Sequence, residues 1–98
     1  MNTYVILRRS GWTSAKDLEK AAARSSQVGL QEMPERVRWL RSYVTKEAGD
    51  RVGTVCIYQA TDPDSVREHA RRADLPCDEV IPVGHLVFVN PDAPIALA

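Results

Sequence analysis

The chain has 98 residues, with 44% apolar and 27% charged side chains, the proportions of a single soluble globular domain. Thirteen basic residues cancel thirteen acidic ones, so no net field draws the chain to nucleic acid or to an anionic membrane, and neither is expected as a partner. No 18-residue apolar run is present and the N-terminus lacks the charge-first order of a secretory signal, so a cytoplasmic protein is expected, with both cysteines reduced.

Thr3–Arg9 (TYVILRR) reads as a strand closed by Ser10-Gly11. Ser14 and Asp17 mark a helix start. From there Leu18, Ala22, Ser25 and Gly29 recur at helical spacing, a stripe of small residues that predicts close packing. Arg36–Thr45 (RVRWLRSYVT) is a second strand. Strict alternation puts Val37, Trp39, Arg41 and Tyr43 on one side and Arg38, Leu40, Ser42 and Val44 on the other. The arginines there suggest a charged, solvated edge. Lys46–Arg51 is a polar hairpin connection containing Gly49. Val52–Ala60 is the third strand, with Val55 and Ile57 on one face and Cys56 and Tyr58 on the other.

Asp62 caps a second helix and Pro63 fits its first turn. That helix should run to about Ala73 and stop before Pro76. Val80–Val89 reads as a fourth strand, interrupted by Pro82 and Gly84 and so placed at an edge or a bulge. Residues 1–90 form one expected domain, and 91–98 an irregular tail. The order β-α-β-β-α-β, with right-handed crossovers, predicts a ferredoxin-like α+β fold. In it a four-stranded antiparallel sheet carries both helices on one face. The other face would be bare, which points to a homodimer of the α/β-barrel type.

Candidate chemistry concentrates in Ser65–Val80 (SVREHARRADLPCDEV). His69 lies about 60° from Val66 around the helix, at the rim of the expected stripe of Val66, Ala70 and Ala73. A rim histidine suits a metal ligand, a general base, or a structural residue bonded to a backbone carbonyl. His85, by strand parity, shares a face with Ile81, Val83 and Val87. Cys77 precedes Asp78 and Glu79, whose charge disfavours a thiolate nucleophile and favours a cation. Cys56, central in its strand, is expected to be a small buried hydrophobe. No C-x-x-C, H-x-x-H, Walker or G-x-S-x-G spacing occurs, so a metal site would draw on distant segments.

Ser42-Tyr43-Val44, the run Cys56–Ala60 (CIYQA) and Arg67-Glu68-His69-Ala70 followed by Pro76 resemble a family of small bacterial nickel-responsive or nickel-binding proteins. The resemblance implies a ferredoxin-like fold, dimers and nickel or another divalent metal as the bound species. Asp74-Leu75 and Cys77 depart from the family pattern. Two functions follow. The first is a binding protein for a metal ion or small molecule, with His69, His85 and Cys77 as metal ligands. Its ligand pocket would use Trp39, Tyr43, Tyr58 and Glu68. The alternative is an enzyme of the dimeric α/β-barrel type, an isomerase or cofactor-free monooxygenase with a histidine base.

Overall fold

The structure, a computed structural model, describes residues 1–94; the last four residues of the expected tail lie outside the described residues. Strand β1 (Asn2–Trp12) leads into helix α1 (Ala15–Gln27), then β2 (Val37–Lys46), β3 (Val52–Ala60), helix α2 (Pro63–Arg72) and β4 (Glu79–Pro82). The four strands form one antiparallel sheet in the order β2-β3-β1-β4. This is the ferredoxin-like arrangement, with β1 and β3 central and β2 at an edge.

Each helix begins where its cap predicts. The Asp17 N–H donates to Ser14 Oγ at 3.2 Å, and the Ser65 N–H donates to Asp62 Oδ1 at 2.7 Å. Pro63 opens α2, where a missing N–H leaves nothing unsatisfied. Helix α1 buries Ser25, which belongs to the expected stripe, and Ala21 in place of Ala22, and then widens into a π-turn over Val28–Glu32. Helix α2 buries Ser65, Val66, His69 and Ala70. Beneath the helices, the inward faces of the strands carry Tyr4, Ile6 and Arg8 on β1 and Thr54, Cys56, Tyr58 and Ala60 on β3. The opposite face is bare: Val5, Leu7, Val55 and Ile57 are half-buried, and Ile81 is exposed.

Two strands differ from the alternation expected of them. In β2 the pairing passes from Trp39↔Tyr58 directly to Arg41↔Ile57, so Leu40 is an extra residue and the strand is bulged. The bulge inverts the parity. Trp39 and Val37 face the helices together with Ser42, whereas Arg41 and Tyr43 turn to the bare face. Strand β4 ends at Pro82 instead of Val89. Its pairing with β1 begins at Leu7 and runs toward the chain start. The Val83 N–H to Thr3 carbonyl bond, at 2.9 Å, closes it. Pro82 has no N–H for a ladder, and β1 begins at Asn2, so there is little strand left to pair with. Leu86 to Val89 therefore lie exposed, and Asp92 returns to β2, where its carboxylate accepts the Tyr43 hydroxyl.

The α2 cap makes a pH-dependent contribution to stability. Hydrogen bonding from the Ser65 backbone N–H, then from its hydroxyl, holds the Asp62 carboxyl below its ordinary value of 3.8. A depressed carboxylate stabilises above its unfolded pKa, and the contribution is lost as pH falls through the folded pKa. Asp62→Ala should lower the urea midpoint at pH 7, whereas Asp64→Ala, one residue past Pro63, should not. The gap between wild type and Asp62→Ala should close as the pH is taken below the carboxylate range.

Candidate functional site

The interior between α1, α2 and the sheet is unusually polar. Tyr58 is 1% exposed and stacks on Trp39 with ring centroids 6.0 Å apart and planes 14° apart. The His69 ring stands 5.3 Å from that of Tyr58, tilted by 59°. The Tyr58 hydroxyl shares a hydrogen bond with Ser25 Oγ at 2.9 Å. Burial is the main cause that pushes the Tyr58 phenol up to about 12, so it stays protonated.

His69 is 1% exposed and lies within the α2 stripe, not at its rim. Its Nε2 stands 3.0 Å from the Ser25 carbonyl oxygen. A carbonyl only accepts, so this nitrogen carries the proton. Nδ1 then holds a lone pair, is buried and has no partner. Burial lowers the His69 pKa below 6.5; the Ser25 carbonyl pulls it up and the charge on Arg8 lowers it further. The imidazole is neutral at pH 7.

Arg8 was not anticipated from the sequence. It is 1% exposed, and its Nε and Nη2 are buried without a hydrogen-bond partner. Its guanidinium carbon lies 5.8 Å from the Tyr58 ring centroid. The four ion pairs among the described residues belong to Arg9, Arg71 and Arg72. The signal was present: in TYVILRR, period-2 alternation from Tyr4 and Ile6 carries Arg8 inward.

A directed chain of hydrogen bonds runs beside it. Trp39 Nε1–H donates to Ser42 Oγ at 2.8 Å, Ser42 donates to Cys56 Sγ at 2.9 Å, and Cys56 donates to Thr54 Oγ1 at 3.3 Å. The bulge at Leu40 makes this possible by bringing Trp39 and Ser42 to one face. Cys56 is therefore a link in a polar chain as well as a buried packing residue.

Two spaces meet these groups. An open cleft of about 660 Å³ is walled by Ser25, Gly29, Val37, Trp39 and His69. A smaller, shallower hollow of about 90 Å³ beside α1 is walled by Trp12, Leu18, Ala22, Trp39, Val44 and Leu75, among others. Ser25 and Trp39 border both.

Of the expected pocket residues, Trp39 and Tyr58 meet here. Tyr43 does not, because the bulge turns it to the bare face. Glu68 is engaged by Arg71 and by Arg72 Nε at 3.7 Å, along α2. Of the expected metal ligands, His69 is in the interior and His85 is exposed beyond β4. Cys77 packs half-buried against the core. Both cysteines are free. Among the described residues no group of three His, Cys, Asp or Glu side chains is placed to hold a metal ion. Around His69 one chain offers nickel a single free nitrogen, with a guanidinium near enough to depress the ring's pKa. That donor set does not fit a divalent cation.

A four-stranded ferredoxin-like sheet with a polar interior beneath two helices defines a small α+β protein. The model of the family described as nickel responsive protein SCO4226-like matches residues 4–83, and the chain belongs to that family. The crystal structure of SCO4226 from Streptomyces coelicolor A3(2) has the same fold, with a TM-score of 0.69 and 16% identity over 87% of this chain and 99% of that one. No curated protein sequence matches. Among the described residues no helix is long and apolar enough to cross a membrane.

The depressed His69 pKa sets a second pH dependence. The unfolded chain takes up the proton first as pH falls, so stability drops as pH falls below about 6.5 and levels off beneath the folded pKa. Urea midpoints at pH 7.5 and pH 5.5 should differ more for wild type than for His69→Gln.

Proposed function

We propose that the chain is a small binding protein without turnover, holding an organic ligand in the cleft that Trp39 and His69 wall. The observation that carries this reading is the cleft itself. It is concave, walled by Trp39, Val37 and Leu30, and supplied with polar groups from Ser25, Arg38, Gln59 and His69, of which His69 is fixed on the Ser25 carbonyl. A general base needs a partner that orients it and a second group that takes the developing charge. The tie of Nε2 to a backbone carbonyl supplies the first, and among the described residues no carboxylate acts on the ring to supply the second. This favours binding over catalysis.

Nickel is the second reading, and one observation favours it. A ring with Nε2–H fixed on a carbonyl and Nδ1 free is the arrangement in which metal-bound histidines are held. The bare sheet face, with Val5, Leu7, Val55, Ile57 and Ile81, suits a C₂ pairing of two copies, but it lies across the sheet from His69 and brings that ring no further ligand.

Untagged protein should run in light scattering at twice the mass of one chain. Its native mass spectrum should carry a small organic adduct that Gly29→Leu, which fills the cleft beside His69, removes. Nickel retained after dialysis, measured by elemental analysis, should be the same for wild type and His69→Ala. One nickel per chain in wild type and none in His69→Ala would move the function to metal binding.

A further inference from the structure

We propose that the cleft takes an organic monoanion with a flat apolar body, its charge held by Arg38. The inference names the ligand class of the binding site proposed above and rests on that reading.

The two ends of the cleft differ. At one end Leu30 stands 74% exposed as a lip, and Pro34, Val37 and Trp39 continue an apolar wall. Leu30 and Gly29 belong to the π-turn of Val28–Glu32, a rare departure from the α-helix that recurs at functional sites. Gly29 keeps the space beside His69 open. A Cβ there would stand 3.7 Å from His69 Nε2, an ordinary contact, so packing would admit a larger residue and the opening belongs to the glycine.

The other end is polar. Arg38 and Gln59 are direct partners in the β2–β3 register, and both border the cleft. Alternation turns the two away from the helices, so the cleft passes round the β2 edge from the helix side to their head groups.

The wall decides the charge of the guest. Arg38 is its one ionised side chain, and no carboxylate lines it. None of the ion pairs among the described residues uses Arg38. The other polar side chains are the hydroxyls of Ser25 and Ser26, the Gln59 amide and the His69 imidazole with its Nε2–H. Every one can donate a hydrogen bond and none is an obligate acceptor. A cation finds no counter-charge on such a wall. An anion finds a positive charge with neutral donors beside it.

Size sets the rest. At about 660 Å³ the space is far larger than an inorganic anion and falls in the range that suits a ligand of one or two rings. A single guanidinium matches one carboxylate or sulfonate and leaves a polyphosphate mostly unpaired.

The probe is sodium 2-naphthoate, titrated calorimetrically into the untagged full chain at constant ionic strength, with 2-naphthamide as its uncharged counterpart. Wild type should bind naphthoate saturably and naphthamide roughly tenfold more weakly. Arg38→Gln should lower naphthoate to the naphthamide level without moving the melting temperature, since Arg38 is exposed. Arg67→Gln, the same change at an exposed position of α2 outside the cleft, should leave both affinities as they are. Gly29→Leu should remove both. Equal affinities in wild type, both lost in Gly29→Leu, would overturn the anion assignment and leave ligand binding in the cleft standing. Equal losses in Arg38→Gln and Arg67→Gln would overturn it as well, by showing a response to net charge alone, and this comparison stands even if Gly29→Leu fails to fold. Binding that survives in folded Gly29→Leu would lie outside the cleft and overturn the inference. No binding of either probe would also overturn it, while the organic adduct in the native mass spectrum decides the ligand-binding reading separately.

Discussion

An arginine buried with no counter-charge among the described residues is the constraint around which the interior is arranged. Arg8 reaches that position because β1 alternates without interruption from Tyr4 through Ile6 to Arg8. The strand then bulges between Arg8 and Trp12, with Ser10 in the left-handed region at φ 48°. The bulge is pinned from β3. A Cβ on Gly53 would stand 2.5 Å from the Arg8 carbonyl oxygen and 3.0 Å from the Ser10 nitrogen, so only glycine lets the two strands close there. Glu47 completes the clamp from outside, bonding Arg9 and the Ser10 N–H. Backbone fit therefore holds a charged side chain inside, where side-chain preference alone would expel it. The hydroxyls of Ser25, Thr54 and Tyr58, the thiol of Cys56 and the imidazole of His69 are the polar groups that make such an interior tolerable.

The order of elements was legible because it rests on local chemistry. Caps at Ser14 and Asp62, a proline at the first turn of α2 and a glycine-bearing hairpin each act within a few residues, and each stands where its residues place it. The bare sheet face followed from topology alone. What escaped notice depends on pairing between strands. Nothing in RVRWLRSYVT marks Leu40 as an extra residue. A bulge changes which residues share a face without changing their identity, so Trp39 and Tyr43, expected together, were separated. The length of β4 was likewise set by where β1 begins, not by the β-forming character of Leu86–Val89.

The site was partly legible. Trp39, Tyr58 and His69 were singled out and do converge. A helical wheel puts His69 at the rim because it holds only its own helix; α1, with the Ser25 carbonyl 3.0 Å from Nε2, covers the ring. The alternation from Tyr4 and Ile6 points Arg8 inward, but nothing local to TYVILRR distinguishes it from its exposed neighbour Arg9. The bond between Ser25 and Tyr58 joins residues 33 positions apart. No local pattern announces a contact of that kind.

The chain from Trp39 to Thr54 has a polarity that its first member imposes. An indole N–H can only give a proton, so Ser42 must receive there and give onward, and Cys56 must do the same. Hydroxyl and thiol rotors, which in an open pocket spin among several settings, are each left with one. The entropy of fixing the Ser42 and Cys56 rotors is surrendered when the chain folds. Trp39, on the wall of the cleft, thus works as a one-way valve for hydrogen-bond direction several residues deeper in the protein.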